Sequence, residues 1–165
     1  MSHVVFSHGK DSEPWGHKIL ALAEVARARG FEVESVDYRG LDSVAERLQS
    51  LITVCAGLPA APVLVGSSLG AYLSAAASVP VAARALFLMA PAFDLPGLPP
   101  TPSVAPCPTA VVHGWQDDVV PVDKALRFAE TQRALTYLVD DGHRLHASLP
   151  QIERWFDDFL ITLRG

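Results

Sequence analysis

The sequence predicts an α/β fold, a doubly wound, mostly parallel six-stranded sheet with helices on both faces. Short runs rich in β-branched, aromatic and other apolar residues recur six times, and helical stretches separate nearly all of them. Most of these runs are apolar without alternation, which marks parallel strands covered on both sides, and strands joined through helices build such a sheet by right-handed crossovers.

The elements follow in order. "HVVFSHG" (3 to 9) reads as a strand ended by glycine, and Trp15, Ile19, Leu22 and Ala26 then recur at the spacing of an amphipathic helix. Gly30 stands where a helix C-terminus needs positive φ, and "FEVESVDY" (31 to 38) alternates as a half-buried strand. Asp42 or Ser43 caps a second helix, with Val44, Leu48, Leu51, Ile52 and Cys55 on its buried face as far as Gly57. "PVLVG" (62 to 66) is a third strand, residues 69 to 78 a third helix, "ALFLMA" (85 to 90) a fourth strand and "TAVVHG" (109 to 114) a fifth. "ALTYLVD" (134 to 140) is the last strand, and the closing helix carries Ile152, Trp155, Phe156, Phe159 and Leu160 on one face.

Between the fourth and fifth strands, "PAFDLPGLPPTPSVAPCP" (91 to 108) contains seven prolines, which forbid a helix of any length. Two readings stand for it: a loop bordering a site, or a rigid surface connector.

At 165 residues the chain is the length of one domain, residues 1–165, for which one continuous core suffices. Half the residues are hydrophobic and 19% are charged, which excludes a disordered polar chain. No apolar run reaches the 18 or so residues that span a bilayer, so no membrane association is expected. The formal net charge of −5, with Lys and Arg scattered singly, argues against nucleic acid as a partner. Cys55 and Cys107 are too few for a disulfide framework, and a cytoplasmic location is the expectation.

The candidate chemistry begins at "GSSLG" (66 to 70), a Gly-x-Ser-x-Gly between a strand and a helix. In that setting a tight turn lifts the central serine, Ser68, above the sheet, and glycine at both ends admits the close backbone approach that the turn imposes. A nucleophilic serine needs a base, and the base needs an orienting carboxylate. Asp117 follows the fifth strand and His143 the sixth, and the carboxyl ends of parallel strands share one edge, so the three loops converge there. Asp118 and His146 are their nearest rivals. His143, His146, Asp140 and Asp141 also allow a metal site in principle, although no further His or Cys stands at a familiar ligand spacing.

With these segments, and with "SHGK" (7 to 10), "HGWQDDVVP" (113 to 121) and "DGH" (141 to 143), the chain resembles the α/β-hydrolase superfamily over nearly its whole length. The resemblance implies Ser68 as nucleophile, Asp117 as orienting acid and His143 as general base. It implies strand order 2-1-3-4-5-6, and an oxyanion hole made by the backbone N–H groups of Lys10 and Leu69. The cap domain and the extra N-terminal strands usual in that family are missing, so a lidless member is expected.

Trp15, Phe93, Leu95, Trp115 and Arg144 are candidates to line the substrate crevice, with a core position the rival reading for Trp15. His8 and His113, each before a glycine at a strand end, are expected to hydrogen-bond loop backbone. The expected activity is carboxylic ester hydrolysis on a small-molecule acyl substrate through an acyl-enzyme, without a cofactor. Acyl transfer, thioester or amide cleavage, and a non-catalytic binding module on the same scaffold are the alternatives. The sequence carries no signal for oligomeric state.

Overall fold

The computed structural model describes residues 2–163. Strands β1 (His3–Ser7), β2 (Glu32–Val36), β3 (Val63–Ser67), β4 (Ala85–Met89), β5 (Thr109–Gly114) and β6 (Leu135–Val139) form one sheet in the order β2-β1-β3-β4-β5-β6. Every neighbouring pair is parallel. The remaining elements are α1 (His17–Ala28), α2 (Val44–Ala56), α3 (Leu69–Ala77), α4 (Val122–Gln132) and α5 (Leu149–Thr162). Both the architecture and the strand order match the expectation.

The apolar interior is not one continuous core, because the sheet divides it. Alternate residues of each central strand point to opposite faces, so on β4 Phe87 and Met89 join α1 and α5, while Leu86 and Leu88 join α2, α3 and α4. Phe87 meets Phe156 at 5.0 Å and Phe159 at 5.5 Å between ring centroids on the first face. Full burial of each such side chain contributes about 1.5 to 3 kcal/mol.

Local signals set the element ends. The Ser43 hydroxyl accepts from the Glu46 N–H at 3.0 Å and caps α2, a contact worth about 1 kcal/mol. Gly30 takes φ +85° after α1, where the N–H groups of Gly30 and Phe31 return to the Arg27 and Ala26 carbonyls. Trp15 departs from its expected place in the helical stripe. The chain is extended at Gly16 and α1 begins at His17, so Ile19, Leu22 and Ala26 are buried while Trp15 lies outside the helix.

The proline-rich segment is anchored to the sheet and its helices at several points. Phe93 packs against Phe128 and Tyr72, Asp94 pairs with Lys124 and Arg127, and the Ala105 N–H donates to the buried Ser78 hydroxyl. Its first residues do border the β3 turn, since the Ala92 N–H donates to the Ser68 carbonyl at 3.1 Å.

Candidate active site

The turn after β3 is built by close backbone packing. A Cβ on Gly66 would fall onto the Gly70 backbone, and a Cβ on Gly70 would fall onto the Ser7 carbonyl of β1. Only glycine allows this approach, and with it the chain passes from β3 into α3 in one residue. Ser68 takes that step at φ 56°, ψ −118°, a conformation costing a non-glycine residue about 1 to 3 kcal/mol. Hydrogen bonds hold it there: the Ser68 N–H donates to the Met89 carbonyl at 2.9 Å, and its own carbonyl accepts from Ala71 and Ala92.

The Ser68 hydroxyl lies 2.9 Å from His143 Nε2, and His143 Nδ1 lies 2.8 Å from Asp117 Oδ2. The carboxylate calls for a proton on Nδ1, which leaves Nε2 free to accept from the serine hydroxyl. Asp117 is buried in the turn after β5, where its Oδ1 accepts from the Val119 and Val120 N–H groups at 2.9 and 2.7 Å. Burial pushes its carboxyl up, but the bonds from His143, Val120 and Val119 outweigh that and its pKa lies below the ordinary value. Gly114, at the start of this turn, admits the Asp141 backbone where a Cβ would collide, which brings the His143 loop against the Asp117 loop.

The rivals stand apart from this chain of bonds. Asp118 and His146 are exposed. Asp140 accepts from Gln116, and Asp141 accepts from the N–H groups of Gly142 and Ser148. Among the described residues no three His, Cys, Asp or Glu side chains gather in a way that could hold a metal ion.

Leu69 N–H opens α3 and Lys10 N–H lies in the loop after β1; neither donates to another group among the described residues. The Gly9 backbone lies against the turn, since a Cβ there would sit 3.6 Å from Ser68 Cβ and from the Ser67 carbonyl. His8 and His113 do hydrogen-bond loop backbone: His8 Nδ1 donates to the Gly9 carbonyl at 2.8 Å, and His113 Nε2 to the Val120 carbonyl at 2.8 Å. His113 also reaches Asp117 Oδ2 at 3.2 Å, a contact not expected from the sequence.

The five candidate crevice residues scatter. Trp115, on the Asp117 loop, is 53% exposed, Arg144 is exposed beside His143, and Leu95 is half-buried in the proline-rich segment. Phe93 is a correction: it is fully buried in the core beneath α3 and α4 and presents no surface to a substrate. Trp15 is 39% exposed, so the core reading fails for it, and its ring lies 5.9 Å from the Arg27 guanidinium.

Sequence reasoning missed Lys18. From α1 it donates to the Arg144 carbonyl at 3.1 Å, fastening the His143 loop. Burial lowers its ammonium to about 8 against the pull of Asp141 and Asp117. Nothing in its helical position signalled this, because the contact spans 126 residues.

The fold and this serine, histidine and carboxylate arrangement define an α/β hydrolase. A model of the alpha/beta hydrolase family matches residues 4–162, and the chain belongs to that family. It is similar, at 37% identity and TM-score 0.92, to a protein of Xanthomonas campestris pv. campestris assigned to the α/β-hydrolase superfamily, with 98% of this chain and 99% of that one covered. An esterase of Pyrococcus furiosus shares the fold at TM-score 0.83 and 16% identity, over 99% of this chain and 84% of that one. So does a serine hydrolase without a lid from Xanthomonas campestris, at TM-score 0.75 and 20% identity, over 95% and 79%. No curated protein sequence matches the chain.

Proposed function

We propose that the chain is a serine hydrolase that cleaves small carboxylic esters through an acyl-enzyme. One observation carries the reading: the unbroken run of hydrogen bonds from Ser68 Oγ through the His143 ring to the Asp117 carboxylate, at 2.9 and 2.8 Å. Ser68 Oγ attacks the ester carbonyl carbon while its proton passes to His143 Nε2. The ionised Asp117 stabilises the imidazolium on Nδ1. The carbonyl oxygen gains the negative charge and is received by the N–H groups of Leu69 and Lys10, each donor worth about 3 to 4 kcal/mol in the transition state. The C–O bond to the alcohol then breaks, and that oxygen takes the proton from His143. Water enters, gives a proton to His143, attacks the acyl carbon, and Ser68 leaves as its hydroxyl is restored.

The chemistry needs no cofactor, and small-molecule acyl compounds are its partners. Trp115 and Arg144, flanking the triad residues in sequence and exposed, supply contacts for the substrate. Among the described residues no helix is long and apolar enough to cross a membrane. With both cysteines free, the reducing cytoplasm is the proposed compartment.

The test is release of p-nitrophenol from short-chain p-nitrophenyl esters, together with covalent labelling by a fluorophosphonate. Both should disappear in Ser68→Ala with the melting temperature held or raised, because Ala relaxes no buried packing there. Labelling that persists in Ser68→Ala sinks the assignment of the nucleophile. A folded wild-type protein that neither labels nor turns over esters would move the reading to a binding module.

A further inference from the structure

The loop after β1 is the less constrained half of the site. A Cβ on Gly9 would meet only ordinary van der Waals contact, whereas one on Gly70 would fall onto the β1 backbone, and Lys10 is exposed. Yet two carbonyls in it are held by buried side chains. His8, 1% exposed, donates from Nδ1 to the Gly9 carbonyl; its Nε2 accepts from the Tyr38 N–H at 3.0 Å, which fixes the tautomer. Arg47, 8% exposed, donates from Nη2 to the Lys10 carbonyl at 3.2 Å and from Nε to the Leu41 carbonyl at 3.0 Å.

Arg47 calls for an explanation on energetic grounds. It occupies the buried stripe of α2 beside Leu51 and Cys55, where an apolar residue would serve packing better. Its guanidinium lies 5.7 Å from the centre of the Tyr38 ring, makes no ion pair among the described residues, and leaves Nη1 buried without a hydrogen-bond partner. A buried cation balanced only by carbonyls and a ring face is costly, and replacing such groups by apolar ones is often neutral or stabilising. Stability therefore does not account for Arg47, and its hydrogen bond to the Lys10 carbonyl carries it from α2 to the loop after β1.

We propose that Arg47, together with His8, is a positioning residue that aims the Lys10 N–H at the developing oxyanion. The inference rests on the serine-hydrolase reading above. The Lys10 N–H belongs to the Gly9–Lys10 peptide, which is planar, so holding the Gly9 carbonyl turns the N–H the opposite way. Arg47 fixes the next peptide through the Lys10 carbonyl. With both planes set, the donor needs no reorganisation when charge develops, which is the condition under which such donors are effective. The planar guanidinium suits this task because its donors leave in fixed directions toward two carbonyls, which an ammonium does not reproduce.

The experiment compares full-length wild type, Arg47→Met and Arg47→Lys for melting temperature, kcat and KM on a short p-nitrophenyl ester, and affinity for a trifluoromethyl ketone that forms a tetrahedral adduct with the serine. Arg47→Met should keep or raise the melting temperature, lower kcat about tenfold or more, leave KM within about threefold, and weaken the ketone in parallel with kcat/KM. Arg47→Lys should recover part of the loss. A kcat within twofold of wild type in Arg47→Met overturns the proposal. If that variant does not fold, Arg47→Lys decides: a fall of about threefold or more in kcat at unchanged KM supports it, and wild-type kcat overturns it. A wild-type protein inert toward ester and fluorophosphonate removes the hydrolase reading and this inference with it. A reactive wild type with an equally reactive Arg47→Met removes this inference alone.

Discussion

The turn after β3 and the loop after β1 lie against each other and supply the two proposed oxyanion donors, but they are held by different forces. At Gly66–Gly70 the restraint is steric: two glycines admit backbone from α3 and β1, and Ser68 between them takes φ 56°. At His8–Lys10 the restraint is polar: two buried side chains hold two carbonyls, and the glycine between them has room. Steric restraint is insensitive to pH and intolerant of added atoms. Polar restraint has the opposite character, tolerating a methyl group but depending on protonation.

The largest effect expected from this contrast is that of Gly70→Ala. The new methyl would meet the Ser7 carbonyl, a backbone atom that cannot rotate away, so β1 or α3 must shift. Overpacking against backbone in a fully buried position costs about 3 kcal/mol or more. For a chain of this size that lowers the melting temperature by about 6 to 12 °C, readable by circular dichroism. Wild-type stability in Gly70→Ala would mean that the turn is not sterically set.

The same contrast explains what the sequence disclosed and what it did not. Glycines in a strand-to-helix setting report steric restraint directly, so Ser68, its turn and the convergence of Asp117 and His143 were legible from Gly-x-Ser-x-Gly and from where strands end. The strand order came through family resemblance, not from periodicity. Polar restraint leaves no local trace. Arg47 reads as an ordinary solvent-facing helix residue until α2 is docked on the sheet, and Lys18 reaches a loop 126 residues away. Phe93 sits among prolines and so reads as surface, yet the segment folds back to seat its ring 4.5 Å from that of Phe128. Trp15 matched the helical spacing, but spacing carries no information about the extended Gly16 that stops the helix short of it.

A smaller effect separates the two restraints by pH. Burial lowers the His8 pKa below its ordinary 6.5; the Gly9 bond opposes this, Arg47 lowers it further, Asp37 raises it and Arg39 lowers it. The folded chain thus favours neutral His8 more than the unfolded chain does. The corresponding stability is complete above pH 6.5 and is lost as pH falls from there through the lowered value. Protonated His8 would also lose its acceptor for the Tyr38 N–H. His8→Gln, which keeps a donor for the Gly9 carbonyl, should flatten this part of the stability curve in urea titrations between pH 7 and about 5. An equally steep fall in the variant would assign the acid sensitivity elsewhere.

The smallest effect expected is at Gly9, and it is the sharpest check because it lies beside the same serine as Gly70. A methyl at Gly9 would sit 3.6 Å from Ser68 Cβ and from the Ser67 carbonyl, ordinary van der Waals contact, and Gly9 is not among the glycines with positive φ. Alanine also narrows the conformations open to the unfolded chain, which stabilises a compatible site by about 0.4 to 1 kcal/mol. Gly9→Ala should therefore leave the melting temperature unchanged or raise it by a few degrees, against the large loss in Gly70→Ala. Comparable destabilisation in the two variants would show that the loop after β1 is sterically compelled as well. The side chains of His8 and Arg47 would then be holding a backbone that had no freedom left to lose.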